Sequence, residues 1–162
     1  NGIRQDIIES ATSSYSLDNI LKIYRKAIIL NKVISKEVGV DLMFSYKRAF
    51  NILNNESNNK DFEISENPDP GLFKNDFEKN LYKKIHNIKK EFTNVSKEDD
   101  HEGLLSNLAT TKKEVIDFFD NVIVNDNDET IRKNRLELLK MLCKTFDNYF
   151  NFSKIENISW KN

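Results

Sequence analysis

The chain has 162 residues, of which 38% are apolar and 31% charged, a balance that suits one domain with a buried core and excludes a disordered chain. Four glycines and two prolines are too few for a fold of many short strands, and a net charge of −1 is not that of a strongly basic protein. The single cysteine excludes an intrachain disulfide and suits a reducing, cytoplasmic compartment, and no run of about 18 apolar residues predicts a membrane span.

Apolar residues at helical spacing predict three helices in the first third of the chain. The first covers residues 3–12, and the second continues to about residue 35. Gly39 is predicted to break the chain before a third helix over residues 40–54. Residues 54–71 follow, and their richness in Asn, Asp, Ser, Pro and Gly predicts an exposed, mobile loop.

Four further helices are predicted after this loop. The sixth is expected to begin with a cap at Thr110 or Thr111, with Glu114 at capping-box spacing from Thr111, and the last with a cap at Asp128. The expected ranges are 76–95, 98–109, 111–123 and 128–150.

The fold class that follows is all-α, a single bundle of six to seven helices. We expect residues 1–15 to hold the end of a preceding region and the first helix, residues 16–152 to form the bundle, and residues 153–162 to be a ragged C-terminal tail. The chain starts at Asn1 without a methionine, which indicates a piece of a longer protein.

Catalytic and metal-binding patterns are missing from the sequence. Neither His86 nor His101 has a second His or Cys three or four residues away, as a metal site would need. Cys143 lies in a long helical pattern without a nearby His, which argues against a nucleophile. The sequence contains no phosphate-binding glycine loop. We therefore expect no catalytic residue, no metal and no cofactor in this chain.

The third predicted helix carries a small polar face. Lys47 and Asn51 are four residues apart and share that face, with Arg48 one step round the helix. Cations can hold phosphates, and an amide can pair with a base edge. On periodicity alone, an ordinary solvated helix face is the simpler interpretation.

A second polar group interrupts an apolar run before the last helix. Asp120, Asn121 and Asn125 must find partners or lie at the surface, because burying unpaired polar groups is costly. They either fix the turn into the last helix or form a polar lip beside an aromatic pocket. The interrupted run, which we assign to the core, is Phe118, Phe119, Val122 and Ile123.

Two arginines open the last helix. The planar guanidinium suits a carboxylate and a phosphate equally well, so both roles stay open for Arg132. Arg135 precedes the core residue Leu136, so we expect it to form a partly buried ion pair with Asp120 or Asp117.

Four strings in this order resemble the C-terminal DALR-type anticodon-binding domain of the β subunit of bacterial glycyl-tRNA synthetase. They are the opening segment of residues 2–8, the KRxxNIL string of 47–53, the FFDNVIVN string of 118–125 and the RxNRLxLL string of 132–139. The agreement extends from Gly2 to about Phe152. The tetrad that names the family reads Glu-Thr-Ile-Arg here, so only its arginine is kept.

The resemblance implies an accessory, non-catalytic part of a cytoplasmic ligase. The family's whole enzyme joins glycine to its tRNA with ATP and Mg²⁺, which the α subunit uses. The implied partners are glycine tRNA and the α subunit, with no DNA and no membrane. The residues expected to bind the tRNA are Lys47, Arg48, Asn51, Asn121, Asn125 and Arg132.

Two alternatives remain at this stage. The near-zero net charge also suits a structural bundle that braces the β subunit or docks the α subunit. Arginyl-tRNA synthetases share the same helical domain, so an arginyl anticodon domain is the other alternative. The KRxxNIL string and the opening segment favour the glycyl enzyme.

Overall fold

The computed structural model describes residues 2–12, 20–57, 63–94 and 100–155. Within these ranges the chain forms seven α-helices and no strand, which confirms the predicted all-α bundle. The predicted boundary between residues 15 and 16 and the end of the tail, residues 156–162, lie outside the described residues. The helices are α1 (Gln5–Thr12), α2 (Ile20–Ile34), α3 (Glu37–Ser57), α4 (Asp76–Asn94), α5 (His101–Ala109), α6 (Lys112–Asn121) and α7 (Glu129–Asp147).

The two long helices α3 and α7 pack against each other at the centre of the bundle. An aromatic cluster joins them, with the Tyr46 ring centroid 5.8 Å from that of Phe146 and 5.5 Å from that of Phe152. The Tyr46 hydroxyl donates a hydrogen bond of 3.1 Å to Asp147. Burial of these large aromatic side chains supplies much of the stability of the bundle.

Residues 153–155, the start of the predicted tail, belong to a packed segment, so the prediction of a ragged tail was wrong for these residues. The side chains of Phe152 and Ile155 are buried, and the short 3-10 helix Phe152–Lys154 lies against α1. The backbone N–H of Asn151 donates to the Ser10 carbonyl at 3.1 Å, which connects the two ends of the described chain. Two large apolar residues therefore outweigh the polar composition of the tail.

The prediction that Gly39 separates two helices was also wrong. Only Ser35 and Lys36 separate α2 from α3, and Gly39 lies buried in the first turn of α3. A Cβ atom at this position would lie 2.5 Å from the Cα atom and the carbonyl oxygen of Ile34. The glycine is therefore needed for the close approach of two helices at a tight corner.

The expected mobile loop at 54–71 is ordered where it is described. Residues 54–57 belong to α3, and residues 63–72 lie against α7. Asn134 pairs with the Asp69 backbone in both directions, accepting from its N–H at 2.7 Å and donating to its carbonyl at 3.0 Å. Glu137 accepts from the Ser65 hydroxyl at 2.8 Å, and Lys140 donates to the Ile64 carbonyl. Partners distant in sequence fix a segment whose composition suggests disorder.

The two predicted caps have different outcomes. The Asp128 carboxylate accepts from the N–H groups of Thr130 and Ile131 at the start of α7, which confirms that cap. The capping box at α6 was wrong, because the Thr111 hydroxyl donates instead to the Leu108 carbonyl at 2.7 Å. Thr111 is buried in the tight corner between α5 and α6, where its hydroxyl has a nearer partner.

Replacing Gly39 with alanine should destabilise the protein by about 1–3 kcal/mol, because the added methyl group meets the backbone of Ile34 and not a movable side chain. This loss should occur although alanine favours a helix more than glycine does. Urea unfolding of Gly39→Ala measures it. Gly2→Ala is the control, because a Cβ atom at Gly2 meets nothing within 4 Å. A Gly39→Ala protein as stable as wild type would contradict this account of the corner.

Candidate nucleic-acid interface

Arg48 on α3 lies against two aromatic rings. Its guanidinium carbon is 4.5 Å from the centroid of the Phe119 ring on α6 and 5.8 Å from that of Phe44. One guanidinium nitrogen lies 3.7 Å from Asp120 Oδ1, with 37% of the Arg48 side chain and 60% of the Asp120 side chain exposed. The rings thus support a half-exposed cation, and its contact with the Asp120 carboxylate is at the long end of the ion-pair range.

The other two site residues predicted on α3 lie beside this cation. Lys47 is partly buried, and Asn51 is exposed one helical turn further along. The structure therefore places Lys47, Arg48 and Asn51 on α3 as the spacing predicted. Through Arg48, it also brings α3 into contact with the end of α6, where Asn121 is the last residue.

Asn121 and Asn125 are both exposed beyond this contact. The Asn121 amide donates to the Asp117 carbonyl at 2.8 Å, which leaves its own carbonyl oxygen available as an acceptor. Asn125 lies in the segment of residues 122–128 between α6 and α7. Both amides therefore have the exposure that reading a base edge requires.

Ile123 corrects the assignment of the apolar run to the core, whereas Phe119 belongs to the core in part. Phe118 and Val122 are buried, but Phe119 is only partly buried beneath Arg48, and 77% of Ile123 is exposed. Phe119 packs against the core cluster, while the Arg48 guanidinium lies over its ring.

Arg132 lies at the other end of the contact between α3 and α7. Its guanidinium forms an ion pair with Glu56 in the last turn of α3, and only 22% and 19% of the two side chains are exposed. Of the two roles left open by the sequence, this pair favours the structural one. A phosphate could reach Arg132 only in competition with the Glu56 carboxylate.

Arg135 is buried, but its partners are not the predicted Asp120 or Asp117. Its Nε donates to Glu78 at 2.8 Å, and its Nη1 donates to the Ile123 carbonyl at 2.8 Å and to Asp126 at 2.6 Å. Asp120 instead faces Arg48, since it lies on the side of α6 towards α3. One guanidinium therefore connects α7 to α4 and to the segment that carries Asn125.

Glu78 has a second function at the start of α4. Its other carboxylate oxygen accepts from the N–H groups of Lys74 at 2.7 Å and Asn75 at 3.0 Å, and the Asn75 side chain accepts from the Glu78 N–H at 3.0 Å. This is a reciprocal cap of the kind that stabilises helix starts. The fully buried carboxylate thus has partners at both oxygens, which a buried charge requires.

Asp126 completes the clamp on the segment of residues 122–128. The hydrogen bond from the Asp128 N–H, followed by that from Arg135, lowers the pKa of Asp126 below its ordinary value. Asp126 is therefore ionised at neutral pH, as its ion pair with Arg135 requires. Because Arg135 also binds the Ile123 carbonyl, the backbone on both sides of Asn125 is fixed.

Other kinds of site have little support in the described ranges. No group of three or more His, Cys, Asp and Glu side chains there could hold a metal ion. Burial raises the pKa of the Cys143 thiol far above its ordinary value, so the thiol is protonated at neutral pH and unsuited to nucleophilic attack. Among the helices described, none has the length and apolarity to cross a membrane.

Comparison with known proteins gives one family over most of the chain. The family model of the DALR anticodon binding domain matches residues 42–159. The β subunit of glycine–tRNA ligase from Rickettsia prowazekii is 32% identical over 137 residues, and that from Rickettsia bellii is 33% identical over 137 residues. Both matches cover 85% of this chain but only 20% and 19% of the relatives. The chain thus spans about a fifth of the length of these relatives.

Replacing Arg135 with methionine should cost about 3–5 kcal/mol of unfolding free energy, because Glu78 remains buried without its cation. Urea unfolding measures the loss. The double variant Arg135→Met with Glu78→Gln is the matched control, since glutamine keeps an acceptor for the α4 cap and removes the buried charge. It should recover part of the stability. Equal stability of Arg135→Met and wild type would contradict the clamp.

Proposed function

We propose that this chain, which belongs to the family of DALR anticodon binding domains, holds the anticodon stem-loop of a tRNA on the surface around Arg48. The observation that carries the proposal is the position of the half-exposed Arg48 guanidinium over the ring of Phe119 on α6. The exposed side-chain amide of Asn121 lies at the end of α6. A single-stranded loop presents unstacked bases, which aromatic and guanidinium planes can stack on and amides can read.

Each element of this surface has a role in the proposal. Arg48 and Lys47 hold the phosphate backbone or stack on a base, and Asn51, Asn121 and Asn125 read base edges. Arg132 contributes mainly by fixing the end of α3 through Glu56. The clamp of Arg135 keeps Asn125 in place before RNA arrives, so less conformational entropy is lost on binding.

Asp120 acts in this proposal as a replaceable partner of Arg48. Exposed ion pairs contribute only about 0–1 kcal/mol, and this one is 3.7 Å long. An RNA phosphate can therefore displace the carboxylate at small cost. Until then, Asp120 keeps the guanidinium oriented over the Phe119 ring and opposes the binding of unrelated anions.

For the whole protein, we propose the β subunit of a cytoplasmic glycine–tRNA ligase. This rests on the relatives, of which the chain covers only a fifth. In that setting the chain would support glycylation of tRNA, while ATP and Mg²⁺ are used at the α subunit. Glycine tRNA and the α subunit are the proposed partners. The relatives named above are glycine enzymes, which favours this assignment over an arginyl enzyme.

A docking role is the second candidate, and one observation favours it. Tyr24 and Ile28 on α2 are four residues apart and are 57% and 42% exposed. Moreover, Lys32 near the end of α2 and Lys36 just beyond it contact Glu102, so these two cations are neutralised locally. These features suit contact with another protein surface better than contact with RNA.

The double variant Lys47→Ala with Arg48→Ala tests the RNA surface. Filter binding of the chain to an RNA hairpin with a glycine anticodon should show weaker binding. The magnitude of the negative slope of log affinity against log salt concentration should decrease by roughly 1, because each lost phosphate contact removes about 0.7–0.9. Arg25→Ala with Lys144→Ala removes two exposed cations elsewhere and is the matched control.

The outcome separates the two candidate functions. An anticodon domain should also bind a hairpin with a swapped anticodon less tightly than the glycine hairpin. If both double variants bind RNA like wild type at low salt, the surface around Arg48 is not the site. If the wild-type chain binds neither hairpin while it binds the α subunit, docking is the better account.

A further inference from the structure

A groove between α4 and α6 carries charges that the surface around Arg48 does not use. It has a volume of about 270 Å³. Lys83 and Lys84 on α4 and Lys113 on α6 bring three cations to its two walls. Phe77 lines it as well. The remaining lining residues are Asn80, Asn87, Glu114 and Asp117.

The three lysines differ from most described cations of the bundle, because no partner is seen for them in the part of the chain that the structure describes. Lys32, Lys112 and Arg132, for example, each form an ion pair with a carboxylate. Lys83, Lys84 and Lys113 have no hydrogen bond or ion pair among the residues that the structure describes. Three lysines without a partner among the described residues therefore line one groove, and their positive charge favours an anion from outside.

The acidic residues of the groove do not cancel these charges at its rim. One carboxylate oxygen of Glu114 is buried without a hydrogen-bond partner among the described residues, and Asp117 is partly buried. Lys83 and Lys113, by contrast, are exposed. Lys84 is partly buried like Asp117, so the charges that an approaching polyanion meets first are those of Lys83 and Lys113.

The shape of the groove indicates an extended ligand. Asn80, Lys84 and Asn87 follow one stripe of α4, and the distance from Asn80 to Asn87 along the helix axis is about 10 Å. Small-molecule sites are usually mostly apolar and enclose their ligand. Cations interleaved with amides along an open stripe suit a sugar–phosphate backbone instead.

The groove is continuous with the proposed anticodon surface through α6. Asp117 lines the groove, and Asn121 lies one turn further on the same side of α6, donating to the Asp117 carbonyl. Phe119 and Asp120 lie on the side of α6 that meets Arg48. An RNA strand that leaves Arg48 can therefore cross the end of α6 and enter the groove.

We propose that the α4–α6 groove binds the ribose–phosphate backbone of the RNA stem whose loop lies at Arg48, through Lys83, Lys84 and Lys113. This inference rests on the proposed function and extends it from the loop to the stem. The backbone contacts there are independent of sequence, so the groove adds affinity without adding discrimination between anticodons.

The triple variant Lys83→Ala, Lys84→Ala and Lys113→Ala tests the groove. Its matched control is Arg25→Ala, Lys144→Ala and Lys154→Ala, which removes the same charge from exposed positions elsewhere. With the glycine hairpin, the groove variant should lose at least tenfold in affinity at low salt relative to the control, and the magnitude of its salt slope should be smaller by roughly 2–3. The preference for the glycine anticodon over the swapped one should not change.

A second measurement locates the contact. In a nuclear magnetic resonance titration of the full chain, the hairpin should shift the side-chain amide signals of Asn80 and Asn87 at concentrations where inorganic phosphate has little effect. If inorganic phosphate instead saturates the shifts of these amide signals at those concentrations, and RNA does not compete with it, the groove binds a free anion and the proposal is overturned.

The result also separates this proposal from the function on which it rests. If the Lys47→Ala, Arg48→Ala variant loses RNA binding while the groove variant matches its control, the groove proposal fails and the anticodon surface stands. If the wild-type chain binds no hairpin, both fail. Equal losses in the groove variant and its control would show a bulk charge effect and overturn the groove alone.

Discussion

The buried guanidinium of Arg135 connects three parts of the chain that are distant in sequence, and the candidate RNA surface depends on it. It joins α7 to the cap of α4 through Glu78 and to the segment of residues 122–128 through Ile123 and Asp126. A buried arginine is tolerated only when its donors are matched by acceptors in good geometry. Here two carboxylates and a carbonyl provide them, so the interaction fixes where the segment runs.

The polar face at the start of α7 extends this principle. Arg132 pairs with Glu56 at the end of α3, and Asn134 and Glu137 hold the backbone and the side chain of residues 65–69. These residues belong to a string that resembles a nucleic-acid-binding family, yet each of them contacts another part of the protein. The RNA-facing role is left to side chains that this framework positions, above all Arg48 and the exposed asparagines.

Helical periodicity was sufficient to predict the fold class and the approximate range of every described helix, because each buries an apolar stripe. The errors arose where partners distant in sequence decide the outcome. The backbone of Ile34 leaves room only for a glycine at position 39, and Asn134 fixes the backbone of the segment before α4. Arg135 pairs with Glu78 of α4, which is 57 positions away in sequence. Of the candidate site, the α3 residues followed from their spacing, while the stacking partner Phe119 was assigned to the core.

Ultraviolet crosslinking of the chain to the glycine hairpin, followed by mass spectrometry of the linked peptides, tests the central claim most directly. A base stacked beside Arg48 lies near the Phe119 ring, so crosslinks should map to residues 117–125, and Arg135→Met with Glu78→Gln should scatter or weaken them. Crosslinks confined to α1 and α2, or a pattern unaffected by loss of the clamp, would contradict the account.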